Sequence, residues 1–586
     1  MSLTKVSYSM IQGAQVNVLD FGADPTGVAD STAALTAAEA QAFADSATLY
    51  LPPGTYKQNG ALEYRCSMVG YGATIQNTTN TPYSSNWGDS TVKFNTQSFL
   101  YVKGLTVNGN AKAPGIGLLT CSNITFEDCV VENCMGLCFN NYSGSFNSYI
   151  NCVADGVVYK TTGGSNEPAD GFYSGESNNT SYLNCIARNF ERIGFVSDGT
   201  LSSKCFMQRY VSCVAYNASN VDRSTTEYNA GFWMENTNGV LMDDITVYSI
   251  AGRPGQTNNR VRGIVLLAVG DTTARPATLT NFSVGDTSGT LPVGISVYGS
   301  ASLANVVVQN GVVLHANVGV ATLGGLNSLT VENVQFDSMR YDSSSHGGVV
   351  VDLQNNINYI TMRNCSETQA VYTSTDAATF NVFYGGTGGG RIVTLENCQG
   401  ISSRTVSGIQ QFFVSNSTVL ARSTNFGCFD AEELLLTNSD LRQAGSRRLF
   451  LSGNTSNTAT AQVSNCSFHD FTNGFEITSG RDLLIDGCKF YDSRIDWAMN
   501  NDNVLLKVTN SLWKNTTSGL AAIRANFYAK SNDNLIAQNN SFYVNTVANA
   551  IALWNTSPDF VMLQGNNYQS TNLSNLTVTT SANNYP

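Results

Sequence analysis

The chain has 586 residues, a formal net charge of −12 and only 13% charged residues. It lacks the basic stripe that releases counterions from a phosphate backbone, which argues against DNA or RNA as a partner, and its acidity disfavours an anionic membrane surface. No run of about 18 apolar residues offers a transmembrane helix, and the opening residues lack the charged-then-apolar order of a signal peptide.

Glycine occurs 52 times and proline only 11 times, and Asn, Ser and Thr fill the spaces between apolar triplets. Such a composition suits a solenoid, in which each coil touches only its neighbours and length does not imply several domains. The expected order is a short N-terminal attachment or linker segment (1–15), an N-terminal cap (16–60), a long β-solenoid (61–500) and C-terminal coils (501–586). In the cap, Val16–Leu19 reads as a strand and Asp20-Phe21-Gly22 as a turn. The spacing predicts one helix over roughly 31–45, opened by Asp30 or Ser31. Its small face of Ala33, Ala34, Leu35, Ala37 and Ala38 is expected to cover the open end of the first coil. Leu49-Tyr50-Leu51 forms a second strand, closed by Pro52-Pro53-Gly54.

From about residue 60 the repeat is degenerate but persistent. Short period-2 runs recur, such as Ile124-Thr125-Phe126, and most end in Asn or Gly: Tyr182-Leu183-Asn184, Val331-Glu332-Asn333, Leu395-Glu396-Asn397, Leu484-Ile485-Asp486-Gly487 and Ile536-Ala537-Gln538-Asn539. Short strands at steps of about 20–35 residues indicate a parallel β-helix and exclude four-stranded propeller blades. Six of the fourteen cysteines recur as Asn-Cys: Asn133-Cys134, Asn151-Cys152, Asn184-Cys185, Asn364-Cys365, Asn397-Cys398 and Asn465-Cys466. A turn residue followed by a small buried residue, once per coil, is a packing ladder of reduced thiols and not a disulfide or zinc framework. The segment 501–586 carries Phe527, Tyr528, Phe542, Tyr543, Trp554 and Phe560, which fit either ordinary coils or a trimerising end.

Three rungs align on Gly-Phe, namely Gly171-Phe172, Gly194-Phe195 and Gly231-Phe232, with Gly263-Ile264 next. Alternation sends the three phenylalanines inward, and Tyr173, Val196, Trp233, Asp198 and Glu235 outward to solvent. Asp198 and Glu235 then lie one rung apart, and Glu176 joins them only through a turn or bulge. Paired carboxylates split their proton affinities and supply the acid and the base or nucleophile of glycosidic cleavage. The candidate catalytic residues are Asp198, Glu235, Glu176 and Asp170. Asp198/Glu235 fits the spacing of retaining enzymes, and Glu176/Glu235 that of inverting ones. The candidate sugar-binding residues are Trp233, Tyr173, Arg223, Tyr228, Arg253 and Arg260. The steps between rungs lengthen to 231 − 194 = 37 and 263 − 231 = 32 residues, so Asn217–Asn229 and Ala251–Arg262 read as loops walling a groove. His315, His346 and His469 lie far from each other and from these rungs, which argues against a Ser-His-Asp hydrolase. Asp337, Asp342 and Glu367 are a fallback carboxylate set.

The order of elements over residues 16–56 resembles the opening of right-handed parallel β-helix carbohydrate enzymes of the pectate lyase-like superfamily. It is closest to bacteriophage tailspike depolymerases, and more distant from polygalacturonases and pectate lyases. The resemblance implies an all-β, right-handed single-stranded parallel β-helix that assembles as a homotrimer. It also implies an endo-acting hydrolase that binds and cuts a bacterial capsular polysaccharide or O-antigen. The expected location is the virion tail, attached to a phage tail or adaptor protein, with no cofactor, metal, nucleic acid or membrane insertion. Asp170-Gly171 resembles the dipeptide that opens active-site strands in related enzymes. The Gly-His-Gly of polygalacturonases is missing, so their chemistry is not simply inherited. Two alternatives stand beside hydrolysis. One is a uronate lyase using Tyr228, Arg253 or Arg260, and the other a non-catalytic receptor-binding adhesin.

Overall fold

The computed structural model describes the chain from Gln15 to Ala582, apart from residues 82–88, 159–167, 219–228, 251–260, 268, 270–275, 286–290, 299–303, 324, 340–348, 355–356, 369–379, 385–391, 404–408, 422–428, 444–448, 453–458, 472–474, 479–480, 500–504, 517–519, 521, 528–533, 545–550, 555–559 and 570–579. Apart from one α-helix and one 3-10 turn, the described elements are strands, and their pairings are parallel throughout. The protein is an all-β parallel β-helix. Two compact units comprise it, one essentially residues 1–307 and the other essentially 317–586. Among the described residues no helix is long and apolar enough to cross a membrane.

The helix spans Thr32–Ala44 and packs on the strands Gln15–Asn17 and Thr48–Tyr50. Ser31 holds the N-cap position, but its side chain makes no cap bond, because its hydroxyl accepts from the Asp24 amide at 2.9 Å. Asp30 supplies the oxygen instead, accepting from the Thr32 amide at 2.9 Å. The buried face is Leu35, Ala38, Glu39 and Ala42, an i, i+3, i+4, i+7 spacing, whereas Ala33 and Ala37 are exposed and Ala34 is half-buried. The expected all-small face is therefore wrong. Glu39 is buried because Arg65 binds it through Nε at 3.0 Å and Nη2 at 2.8 Å.

Three devices, all consequences of parallel in-register stacking, hold the coils. The first is the turn. Asn151, Asn184, Asn281, Asn333, Asn364, Asn397, Asn465, Asn510 and Asn539 all have φ between 51° and 56°. This is the left-handed region, which Asn tolerates better than branched residues. Their side chains form chains of their own: Asn364 donates to Asn333 at 2.9 Å, and Asn397 to Asn364 at 2.8 Å. The second is the cysteine ladder. Cys129, Cys152, Cys185 and Cys213 immediately precede residues paired in register, Val130, Val153, Ile186 and Val214 or their neighbours. All thirteen described cysteines are buried and free. The third is aromatic. In the first unit Phe139, Phe172, Phe195 and Phe232 stack at centroid spacings of 4.7, 4.8 and 4.6 Å. Tyr149, Tyr182 and Tyr210 stack at 4.9 Å and meet the phenylalanines edge-on. In the second unit Phe468, Phe490, Trp513, Phe542 and Tyr568 form a similar column. Strands there keep register from Leu329 through Ile360, Val393, Phe412, Leu434, Ala461, Leu483, Leu506 and Leu535 to Val561. Each aromatic pair adds about 0.5–1.5 kcal/mol beyond its buried area.

The Gly-Phe repeat has a steric cause. A Cβ on Gly171 would lie 2.6 Å from the Gly194 carbonyl oxygen, one on Gly194 2.7 Å from that of Gly231, and one on Gly263 2.5 Å from that of Gly294. Only glycine lets successive rungs close to stacking distance at this corner. Gly194→Ala is expected to destabilise the fold by about 1–3 kcal/mol through overpacking. A thermal unfolding midpoint equal to that of the unmodified chain would contradict the close approach.

Candidate functional site

Six strands of one sheet in the first unit carry the site: β1 (Leu137–Tyr142), β2 (Asp170–Gly175), β3 (Ile193–Asp198), β4 (Asn229–Glu235), β5 (Val261–Leu267) and β6 (Leu291–Tyr298). Pairing puts Phe172, Phe195, Phe232, Ile264 and Ile295 in one inward column. Alternation then sends Tyr173, Val196, Trp233, Val265 and Ser296 outward, and after them Gly175, Asp198, Glu235, Leu267 and Tyr298. The rung alignment expected from the sequence is the observed one, with Asp198 directly opposite Glu235. Beneath the face the inward polar residues are satisfied: Ser174 bonds the Tyr182 hydroxyl at 2.6 Å, and Ser197 bonds Thr237 at 2.8 Å. These bonds fix the strand ends that present the carboxylates.

The outward face is less open than expected. Ile193, Val196, Ala230 and Val265 are buried there as an apolar cluster, with Tyr173, Trp233, Leu267 and Tyr298 packed against it. Val196 is thus not a solvent-facing residue, and Asp198 and Glu235 are half-buried where full solvation was expected. Burial pushes both carboxyls above their ordinary range. For Asp198 a hydrogen bond from the Tyr173 hydroxyl (2.8 Å to Oδ2) and the Arg192 charge oppose the rise, while Asp170 and Glu176 add to it. For Glu235 a hydrogen bond from Trp233 Nε1 (2.9 Å to Oε2) opposes it, Asp198 adds to it and Arg192 opposes it. Tyr173 and Trp233 therefore hold the acids, which the reading of them as sugar platforms did not foresee.

Glu176 reaches the group through the expected turn. Its φ is 49°, and its amide donates to the Asp198 carbonyl at 3.0 Å. Burial, followed by the charge of Glu176, pushes the Tyr142 phenol up, so Glu176 lies beside Tyr142. Asp170 is fully buried and bound by Arg192 through Nε (2.7 Å to Oδ1) and Nη2 (2.5 Å to Oδ2). With both its oxygens on one guanidinium, Asp170 is a fixed counter-charge. Arg192 escaped the sequence reading. It sits at the corner between two strands, a place no periodicity marks, and its only signal was adjacency to the Gly-Phe rung. Arg223, Tyr228, Arg253 and Arg260 lie outside the described residues, as does the fallback Asp342. Arg262, read as a loop residue, belongs to β5, where it is 5% exposed and donates through Nη2 to the Tyr298 hydroxyl at 3.0 Å. The fallback Asp337 accepts from Thr368 at 2.9 Å. His469 contacts Asp440 and stacks on Tyr491. Among the described residues no group of three or more His, Cys, Asp or Glu could hold a metal ion.

Fold and site define a parallel β-helix with an acidic pair on the outer surface of one sheet. The sequence profile of the rhamnogalacturonase A/epimerase, pectate lyase-like family matches residues 15–156. This stretch ends before Asp170, so the site lies beyond it. Among solved structures, the mannuronan C-5 epimerase AlgE4 A-module of Azotobacter vinelandii is similar over 60% of this chain and 96% of its own, at 16% identity and a TM-score of 0.43. A family 28 exopolygalacturonase of Yersinia enterocolitica is similar over 81% of this chain and 78% of its own, at 13% identity and a TM-score of 0.31. ORF18 of Geobacillus virus E2 covers 83% of this chain and 62% of its own, at 13% identity and a TM-score of 0.21. No curated protein sequence matches the chain.

Removing Arg192 strands a buried charge, whereas neutralising Asp170 leaves a cation that is 21% exposed at its side chain. Arg192→Met is expected to destabilise by about 3–5 kcal/mol, and Asp170→Asn by less. Calorimetric unfolding of the two variants checks the order.

Proposed function

We propose that the chain is an endo-acting polysaccharide depolymerase that cleaves glycosidic bonds by hydrolysis, with Asp198 and Glu235 as the acid and its ionised partner. The observation that carries this reading is the pair itself: two half-buried carboxyls on adjacent rungs, both raised by burial, each holding one donated hydrogen bond. A rung spacing of about 4.8 Å favours the ~5–5.5 Å separation of retaining enzymes. The resemblance of residues 16–56 to tailspikes supports a homotrimer on a phage tail, acting on bacterial capsule or O-antigen.

The test is incubation of the full chain with capsule or lipopolysaccharide from candidate hosts, followed by product mass and reducing-end analysis. Asp198→Asn and Glu235→Gln should each reduce cleavage at least about 100-fold while polymer binding survives. Near-normal turnover in both variants would remove the pair from the chemistry. Products with an unsaturated, ultraviolet-absorbing end would select a lyase, and binding without shortening an adhesin. Light scattering that gave a single 62.8 kDa chain would refute the trimer.

The pH profile gives an independent check. Both carboxyls titrate above their usual range, and the Tyr173 and Trp233 donors favour the ionised forms. Loss of the Tyr173 hydroxyl therefore raises Asp198 further. Tyr173→Phe should move the limb that Asp198 governs to higher pH, by about one unit, and Trp233→Phe should do the same for Glu235. A downward shift in either variant would contradict these assignments.

A further inference from the structure

Phe99, Phe146 and Met207 are 79%, 58% and 48% exposed, and all three hold left-handed backbone, with φ of 59°, 57° and 53°. They belong to one column at the corner that follows the site sheet. The Phe99 amide donates to the Ser122 carbonyl, Asn123 to Ser145, Phe146 to Asn178, Asn179 to Phe206 and Met207 to Asn238, so each coil hands the position to the next. Along the stack the column is therefore Phe99, Asn123, Phe146, Asn179, Met207 and Gly239. A large apolar residue stands on alternate coils, about 9.6 Å apart, and the run from Phe99 to Met207 spans about 19 Å.

A bulky side chain in this conformation is strained. Asn123, Asn179 and Gly239 show that residues suited to the turn already serve at the same corner. Turn formation thus does not account for Phe99, Phe146 and Met207, and solvent gives an apolar side chain nothing in return. The adjoining strands add Ile150, Leu183 and Val211, which pair in register, are half-buried, and alternate with the buried Tyr149, Tyr182 and Tyr210. Charge singles the column out a second time. The left-handed columns on either side of it carry carboxylates, Glu176 in one and Asp128 and Asp244 in the other, whereas this column carries none.

We propose that this column lies on the threefold axis of the homotrimer. On an axis parallel to the stack each residue meets its own two copies at the same height. A charged residue there would repel itself, an apolar one packs, and a neutral amide both donates and accepts. The column obeys that rule at every coil: apolar layers of Phe99, Phe146 and Met207 alternate with amide layers of Asn123 and Asn179. The buried apolar layers offset the backbone strain, and the amide layers fix the register of the three chains, as buried polar layers do between helices. Arg209 and Asp243, two and four residues past the column, stand off the axis and meet different residues of a neighbour, so charge is tolerated there. The occupant, two further copies of this chain, rests on the homotrimer reading; the choice of column rests on conformation, exposure and charge.

The experiment uses the full chain and measures molar mass by light scattering over a range of concentrations, with circular dichroism as the check on folding. Asp128 and Asp244 already take φ of 55°, and Ser143 takes 52°, so aspartate and serine both fit the turn. The double variant Asn123→Asp/Asn179→Asp places three like charges in each of two layers. It should raise the concentration needed for assembly at least about 100-fold at neutral pH. Repulsion raises the introduced carboxyls, so the trimer should return on acidification to about pH 5. Asn123→Ser/Asn179→Ser should stay trimeric at neutral pH. Phe146→Asn relieves strain and removes one apolar layer; it should keep the circular dichroism spectrum and weaken assembly at least about 10-fold. An aspartate variant that assembles like the unmodified chain overturns the axis assignment and leaves the homotrimer standing. Dissociation of the serine variant to the same degree also overturns it, because like charge is then not the cause. A single 62.8 kDa chain in the unmodified protein removes the homotrimer, and the axis with it.

Discussion

Each residue in a parallel in-register coil lies about 4.8 Å above its counterpart, so every side chain is solvated by the residues that replace it one coil away. Columns of like residues follow. Flat rings stack at 4.6–4.8 Å along Phe139, Phe172, Phe195 and Phe232. Amides extend as hydrogen-bonded chains, as from Asn397 through Asn364 to Asn333. Small thiols recur at the position after left-handed Asn, as at Cys152, Cys185, Cys365, Cys398 and Cys466, all buried.

For charged groups the same constraint is adverse. Placing Asp198 opposite Glu235 brings like charges to rung spacing on a face already crowded by Val196, Val265 and Trp233. The chain answers at the corner. Arg192 is held by the fully buried Asp170, and its charge opposes the rise of both acids. Its backbone is pinned as well, since its amide donates to the Ala169 carbonyl and its carbonyl accepts from the Ala230 amide. Tyr173 and Trp233 each add one donor. The result is a pair with elevated but compensated proton affinity, the electrostatic condition for one carboxyl to act as acid beside an ionised neighbour.

The sequence revealed the parts of this arrangement that repeat. Gly-Phe at three successive rungs was enough to place Asp198 opposite Glu235, because strand alternation is a rule of backbone geometry. Asn-Cys was legible because one turn conformation recurs in coil after coil. What happens once stayed hidden. Arg192 occupies a single corner, and the half-burial of the outward face arises from Tyr173, Trp233 and Tyr298 leaning over Val196 and Val265, which alternation alone assigns to solvent. The helix shows the same limit. Its extent was readable from spacing, but its buried face includes Glu39, whose burial depends on Arg65, twenty-six residues away in sequence.

The outward columns also change character along the stack. At β3 and β4 the last outward position holds Asp198 and Glu235; at β5 and β6 it holds Leu267 and Tyr298, while Arg262 enters at the opposite end of β5. Stacking explains why the change is abrupt. A third carboxylate at the position of Leu267 would stand at rung spacing from Glu235 and two rungs from the coil of Arg192, so an apolar residue ends the acidic column. Arg262 faces no like-charged residue in its own column, where its partners are Ala230 and Val293. A face built this way has a direction, carboxyls first and guanidinium next, and a chain molecule lying along the stack would meet the two kinds of group in a fixed order.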